Sequence, residues 1–183
     1  MKIDMDIEAM AKSPDWGKRL LAAGRPDLPP ELVERLAGDG DEEVRIGICW
    51  RPDLPAALIE QLAEDEAVEV RSAVGRRDDL PAELVARLAQ DESRLVREAI
   101  AHREDLPAEI CDRLACGDDV WLRVELAERT DLPAEIVEQL ARDEDWLVRQ
   151  AIARRDDLPA ELVARLSADR SARVRKAATR KNL

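Results

Sequence analysis

The apolar residues of this chain recur with a fixed spacing. Taking Asp27 as position 1 of a 26-residue unit, position 6 is Leu32, Leu58, Leu84, Ile110, Ile136 and Leu162, and position 10 is Leu in all six copies, from Leu36 to Leu166. Position 18 is Val44, Val70, Val96, Leu122, Val148 and Val174. Apolar residues at positions 6, 7, 10 and 11 lie on one face of a helix, and those at 18, 21 and 22 form the stripe of a second helix. Each unit therefore predicts two short helices. Neither buries its apolar face alone, so the units must stack.

Polar punctuation agrees with this spacing. Asp-Leu-Pro begins at Asp27, Asp53, Asp79, Asp105, Asp131 and Asp157, with no insertion or deletion between copies. The first helix is expected to open at the Pro, which suits the first helical position because its missing N–H has no partner there. Glu usually follows three residues after the Leu, as in Leu80-Pro81-Ala82-Glu83, where it complements the helix dipole. The second helix is expected to start after Asp or Ser at position 15, a good N-cap, and to stop before the next Asp-Leu-Pro. The first 26 residues are a degenerate copy: Trp16 aligns with Trp146, Arg19 with Arg149 and Arg25 with Arg155, while Asp6 occupies a Leu position. The expected organisation is one repeat domain over 1–183, with a degenerate capping unit at 1–26 and six regular repeats over 27–182.

The unit Arg76-Arg77-Asp78-Asp79-Leu80-Pro81 through Ala101 resembles the leucine-rich repeat variant, a bacterial helical repeat. Its second helix, with Asp-x-x-x-x-Val-Arg-x-x-Ala, is also similar to HEAT-type repeats. The resemblance implies an all-α, right-handed α-solenoid of two-helix repeats, one helix of each pair being a candidate 3₁₀ helix. Family members of one type carry an N-terminal cysteine cluster that holds an iron–sulfur centre. Here the first 48 residues contain no Cys, so that cofactor is not carried over, and the 26-residue period is slightly longer than the usual family unit.

Composition narrows the function classes. Only 2% of residues are aromatic, so the core must be Leu, Val, Ile and Ala. The net charge of −12 argues against nucleic acid, whose binding relies on Lys and Arg displacing counterions, and against an anionic membrane surface. One local exception is residues 160–183, which hold seven basic residues (Arg165, Arg170, Arg173, Arg175, Lys176, Arg180, Lys181) against Glu161 and Asp169. No apolar stretch reaches the roughly 20 residues of a membrane span, and the acidic start Met1-Lys2-Ile3-Asp4 does not read as a signal peptide.

Arg fills position 19 in every copy (Arg45 to Arg175) and position 25 in five, from Arg51 to Arg155, with Lys181 closing that series. A phosphate-binding stripe is one reading. The better one is structural, because Asp recurs at position 1 in all six units and at position 13 in five, Gly117 being the exception, and a guanidinium can pair with it across adjacent units. Cys49 and Cys111 replace small or apolar core residues, Cys116 falls at a variable position, and the lone His102 falls in a column of charged residues. Three scattered thiols read as free thiols of a reducing, cytoplasmic compartment.

The variable positions of the second helix, 16, 17, 20 and 24, are where a repeat scaffold keeps its specificity. Position 17 reads Glu43, Glu69, Leu95, Trp121, Leu147 and Arg173; position 20 adds Ile46 and Val124, and position 24 adds Trp50. Leu95, Trp121, Val124, Leu147, Ile46 and Trp50 are thus the expected partner-binding residues, with Trp121 as anchor and charged residues around them. The expected role is a non-catalytic protein–protein interaction scaffold for a protein or peptide partner. The alternatives are a HEAT-like nucleic-acid-binding or DNA-repair protein, and a purely structural or engineered repeat protein. No catalytic residue, cofactor or metal is expected. Three scattered Cys and one His give no four-ligand set, so elemental analysis of the purified protein should find no stoichiometric transition metal; a metal near one per chain would overturn this.

Overall fold

A computed structural model describes residues 6–104 and 106–180; Asp105 of the Asp-Leu-Pro series and Lys181 of the Arg series lie outside these. Among the described residues there are fourteen α-helices and no strand. By compactness the chain divides into two units, Met1–Ile100 and Ala101–Leu183.

The first unit runs α1 (Ile7–Ala11), α2 (Trp16–Ala23), α3 (Pro30–Ala37), α4 (Glu42–Cys49), α5 (Ala56–Leu62), α6 (Val68–Gly75), α7 (Ala82–Leu88) and α8 (Arg94–Ala101), the last ending at the division. The second unit runs α9 (Ala108–Ala115), α10 (Val120–Glu128), α11 (Ala134–Leu140), α12 (Trp146–Ala153), α13 (Ala160–Ser167) and α14 (Ala172–Thr179). Successive second helices pack on one another, α2 on α4 on α6 in the first unit and α10 on α12 on α14 in the second. Among the described residues both helices of each pair are α-helical rather than one being 3₁₀; 3₁₀-type bonds occur at helix ends, as where Leu32 N–H donates to the Pro29 carbonyl at 2.9 Å and Arg51 N–H to the Ile48 carbonyl at 3.0 Å.

The first helices begin one residue later than the sequence predicts. Pro29, Pro55, Pro81, Pro107, Pro133 and Pro159 are N-caps with ψ of 140–148°, and the helix starts at the following residue. A proline cap needs no side-chain acceptor here, because its carbonyl takes the bonds of the residues three and four ahead, as Pro55 does from Leu58 and Ile59. The second helices start as expected. Asp41, Asp119 and Asp145 cap α4, α10 and α12 by accepting from backbone amides. Asp6, which breaks the repeat pattern, acts in the same way and caps α1 by accepting from Glu8 N–H at 3.0 Å.

The core is thin and layered. Position 10 is buried throughout (Leu36, Leu62, Leu88, Leu114, Leu140, Leu166), as is position 18 from Val44 to Val174. Ile48, Val74, Ile100, Leu126 and Ile152 at position 22 complete each layer. Small residues in most copies of position 21 set the spacing between second helices: a Cβ on Gly47 would lie 2.5 Å from Leu20 Cδ1.

The two Arg ladders join one repeat to the next. At position 19, Arg45 donates from Nε and Nη2 to both carboxylate oxygens of Asp65, at 2.7 and 2.8 Å, and from Nη1 to the Asp39 carbonyl at 2.7 Å. Arg19 with Asp39, Arg71 with Asp91, Arg123 with Asp143 and Arg149 with Asp169 repeat this fork. The same Asp carboxylate accepts from an amide two residues on, as Asp65 does from Ala67. At position 25, Arg51 reaches back to the Ala23 and Arg25 carbonyls at 3.0 and 2.7 Å while pairing with Asp53. Arg77 and Arg155 do likewise with the repeats before them. These carbonyls lie at and just past a helix C-terminus, where they lack helical partners and favour a cation.

The forks set a pH dependence. Burial opposes the charge of Asp39, Asp65 and Asp91, yet the Arg hydrogen bonds, the amide donors and the nearby guanidinium charge together hold each carboxyl below its ordinary value. Asp169 is lowered chiefly by its hydrogen bond from Arg149. A carboxyl depressed in the folded state contributes stability above its unfolded pKa of about 3.9 and loses it as pH falls through the folded value. Asp65→Asn should therefore melt well below wild type at pH 7, and the gap should close between roughly pH 4 and pH 2. A gap unchanged over that range would show that the carboxylate charge is not what Asp65 contributes. Arg71→Ala, which leaves the half-buried Asp91 carboxylate without its fork, should cost about 3 kcal/mol in denaturant unfolding; a loss under about 1 kcal/mol, the range of an exposed ion pair, would reduce the ladder to surface decoration.

Candidate functional site

The second helices carry the expected recognition residues. In the second unit, Trp121 and Val124 are three residues apart on α10, and Leu147 is on α12, which packs beside it. Trp121 is 55% exposed, whereas Val124 and Leu147 are half-buried. Trp121 sits in the first turn of α10, where its own amide is tied to the Asp119 cap at 3.1 Å. Its backbone is held while its ring stands in solvent.

In the first unit, Ile46 and Trp50 are one turn apart on α4, with Trp50 its C-cap, and Leu95 is on α8. Trp50 is 55% exposed and Leu95 36%, while Ile46 is half-buried. Trp50 does not share a strip with position 17. It lies over a shallow depression at the turn after α4, with Pro52 and Arg76.

Position 20 is less open than its sequence variability implies. Ser72 is buried, and its hydroxyl donates to the Leu95 carbonyl at 3.4 Å; Gln150 makes the matching bond to the Arg173 carbonyl. Position 20 therefore lies beneath the first turn of the next second helix, and Ile46 and Val124 form a shoulder of the surface. By the same register Val124 on α10 lies near the first turn of α12, which carries Leu147.

Sequence reasoning missed two exposed residues and one ring contact. Trp16 is 48% exposed and Leu21 61%. Leu21 occupies the position that Ala73, Ala99 and Ala151 bury in regular repeats, which alignment with the later copies shows once exposure at α2 is known. The Arg173 guanidinium lies 4.5 Å from the centre of the Trp146 ring, a cation–π geometry between positions 16 and 17 of neighbouring repeats.

Two of the three thiols are shut away from solvent. Cys49 and Cys111 are buried; burial pushes the Cys49 thiol up to about 12 and raises that of Cys111. Such thiols stay protonated and are poor nucleophiles. Cys116 is exposed and accepts from Gln139 at 3.2 Å, and His102 is also exposed. The position-19 and position-25 guanidinium groups that would form a phosphate stripe are mostly buried and engaged, as in Arg45, Arg51, Arg71, Arg77, Arg123, Arg149 and Arg155. Among the described residues no helix is long and apolar enough to cross a membrane.

Comparison with known proteins agrees with the fold. The family model described as "Leucine rich repeat variant" matches residues 16–41, a stretch that spans α2 and α3. No curated protein matches the chain. Among solved structures, "a leucine-rich repeat variant with a novel repetitive protein structural motif" is 31% identical, superposes with a TM-score of 0.76, and is matched over 95% of this chain and 69% of its own. With that identity over most of both chains, a shared helical-repeat fold and the repeat spacing itself, this chain belongs to the leucine-rich repeat variant family.

Proposed function

We propose that this protein is a non-catalytic scaffold that binds a protein or peptide partner through the exposed side of its second helices, from a cytoplasmic location. The observation that carries the reading is Trp121: a tryptophan more than half in solvent, on a backbone fixed by an Asp cap, beside apolar Val124 and Leu147. Trp is enriched among residues that dominate binding energy, and a contiguous exposed apolar face on a charged protein marks an interaction site. The charged surroundings, with Glu128 and Arg154 exposed on the same two helices or at their ends, supply a polar rim. Leu95, Ile46 and Trp50 are proposed contacts of the first unit.

The strip has a two-part test. Peptides selected for binding from a display library should lose about 2 kcal/mol or more, roughly thirtyfold in Kd, against Trp121→Ala. The same variant should unfold within about 0.5 kcal/mol of wild type, because a mostly exposed side chain leaves no cavity. Unchanged affinity would remove Trp121 from the recognition surface. A stability loss of about 3 kcal/mol would mean that its ring packs as core.

A further inference from the structure

One groove of the first unit has a composition that the apolar strip does not share. It is formed where Trp16, the first residue of α2, faces the start of α4, and it is lined by Asp41, Glu42, Glu43 and Glu66 together with Arg45. The Arg45 guanidinium is forked onto Asp65, and Glu42 and Glu66 feel its charge only at longer range. Glu42, Glu43 and Glu66 are exposed and form no ion pair among the described residues. An indole face and four carboxylates thus meet with no uncommitted cation among the residues that line the groove.

The second unit contains the same place in the repeat with its cation present. Trp146 is the first residue of α12, as Trp16 is of α2, and each occupies position 16. The residue 27 positions after Trp146 is Arg173, whose guanidinium lies over the ring at 4.5 Å. The residue 27 positions after Trp16 is Glu43. The chain itself therefore shows what this indole takes: at one copy an internal arginine covers it and the ring is half-buried, and at the other the ring is 48% exposed and faces acid. The amino ends of α2 and α4 alone would repel a cation. The carboxylates of Asp41, Glu42 and Glu43 at the start of α4 offset that field and reverse its sign.

We infer that the Trp16 groove binds an arginine or lysine side chain of a partner peptide, the indole stacking on the cation while Asp41, Glu42, Glu43 and Glu66 neutralise it. The site lies apart from the Trp121 strip. It shares with that reading only the class of ligand, and its test uses a free cationic probe, so either can fail alone.

The experiment follows the four indole N–H signals by NMR while a short capped peptide with two arginines is added, and repeats the titration with citrulline in their place. The Trp16 signal should shift saturably with the arginine peptide, and the citrulline peptide should bind at least about tenfold more weakly. Trp16→Ala keeps the net charge and should weaken binding by about fivefold or more, the share of a partly desolvated cation–π contact. Glu43→Arg should install the arrangement seen at Trp146: the Trp16 signal moves before any peptide is added, and the peptide no longer shifts it. Melting curves of both variants confirm that they fold. If Trp16→Ala binds the peptide as well as wild type does, the attraction is that of a net −12 surface and the site is overturned. It is equally overturned if sedimentation shows concentration-dependent self-association that Trp16→Ala abolishes, since the occupant would then be a second copy of this chain.

Discussion

The forked bond from a position-19 arginine to a position-13 aspartate is the interaction on which the rest depends. Helices of five to nine residues are too short to stand alone in water, and their Leu, Val and Ala faces would tolerate sliding. The fork removes that freedom. Arg45 holds the carbonyl of Asp39 with one nitrogen and both oxygens of Asp65 with the other two, while Asp65 also takes the Ala67 amide. A single rung thus fixes a turn in its own repeat, a carboxylate in the next, and the start of the next second helix. Buried ion pairs return little net stability once desolvation is counted. What this one supplies is register, and a uniform 26-residue spacing without insertions is what a register constraint requires.

The same geometry accounts for where most of the arginines' donors go. A ladder of Arg on an α-solenoid has the look of a phosphate track, and only the side chains' surroundings decide the matter. Arg51 and Arg77 spend their donors on helix-end carbonyls of the preceding repeat and on Asp53 and Asp79. Guanidinium groups so engaged have few donors left for a phosphate, and exposing them would break the stack. The accessible surface is therefore more acidic than a count of Arg residues implies.

Much of this was legible because the sequence is its own alignment. Core positions 10 and 18 and the position-19 arginine stay apolar or Arg through six copies, position 13 is Asp in five with Gly117 the exception, and position 15 is Asp in three. What was not legible depends on covering by a neighbour. The proline at position 3 reads equally well as the first helical residue or as the cap, and its ψ near 140° decides for the cap. Position 20 varies as a surface position does, yet Ser72 is buried because the start of α8 lies over it. Trp16 aligns with Trp146 from sequence, but that one ring is open and the other covered by a cation depends on a residue 27 places away.

The fixed and variable positions together divide the work of the chain. Positions 13, 19 and 25 hold the backbone, so a change at position 17 leaves the stack intact and alters only what the second helix offers. Across the copies that one position passes from Glu43 and Glu69 through Leu95, Trp121 and Leu147 to Arg173. Acid, apolar and basic chemistry are thereby mounted on one unchanging scaffold. Glu43 and Arg173 show how far the consequence reaches, because each also determines what lies beside a tryptophan in the repeat before it. With Arg at position 17 the indole is satisfied from within, and with Glu it is left for something outside. A repeat whose register is secured elsewhere can exchange internal contact for external recognition by a single substitution, and the fixed ladder is what makes that exchange safe.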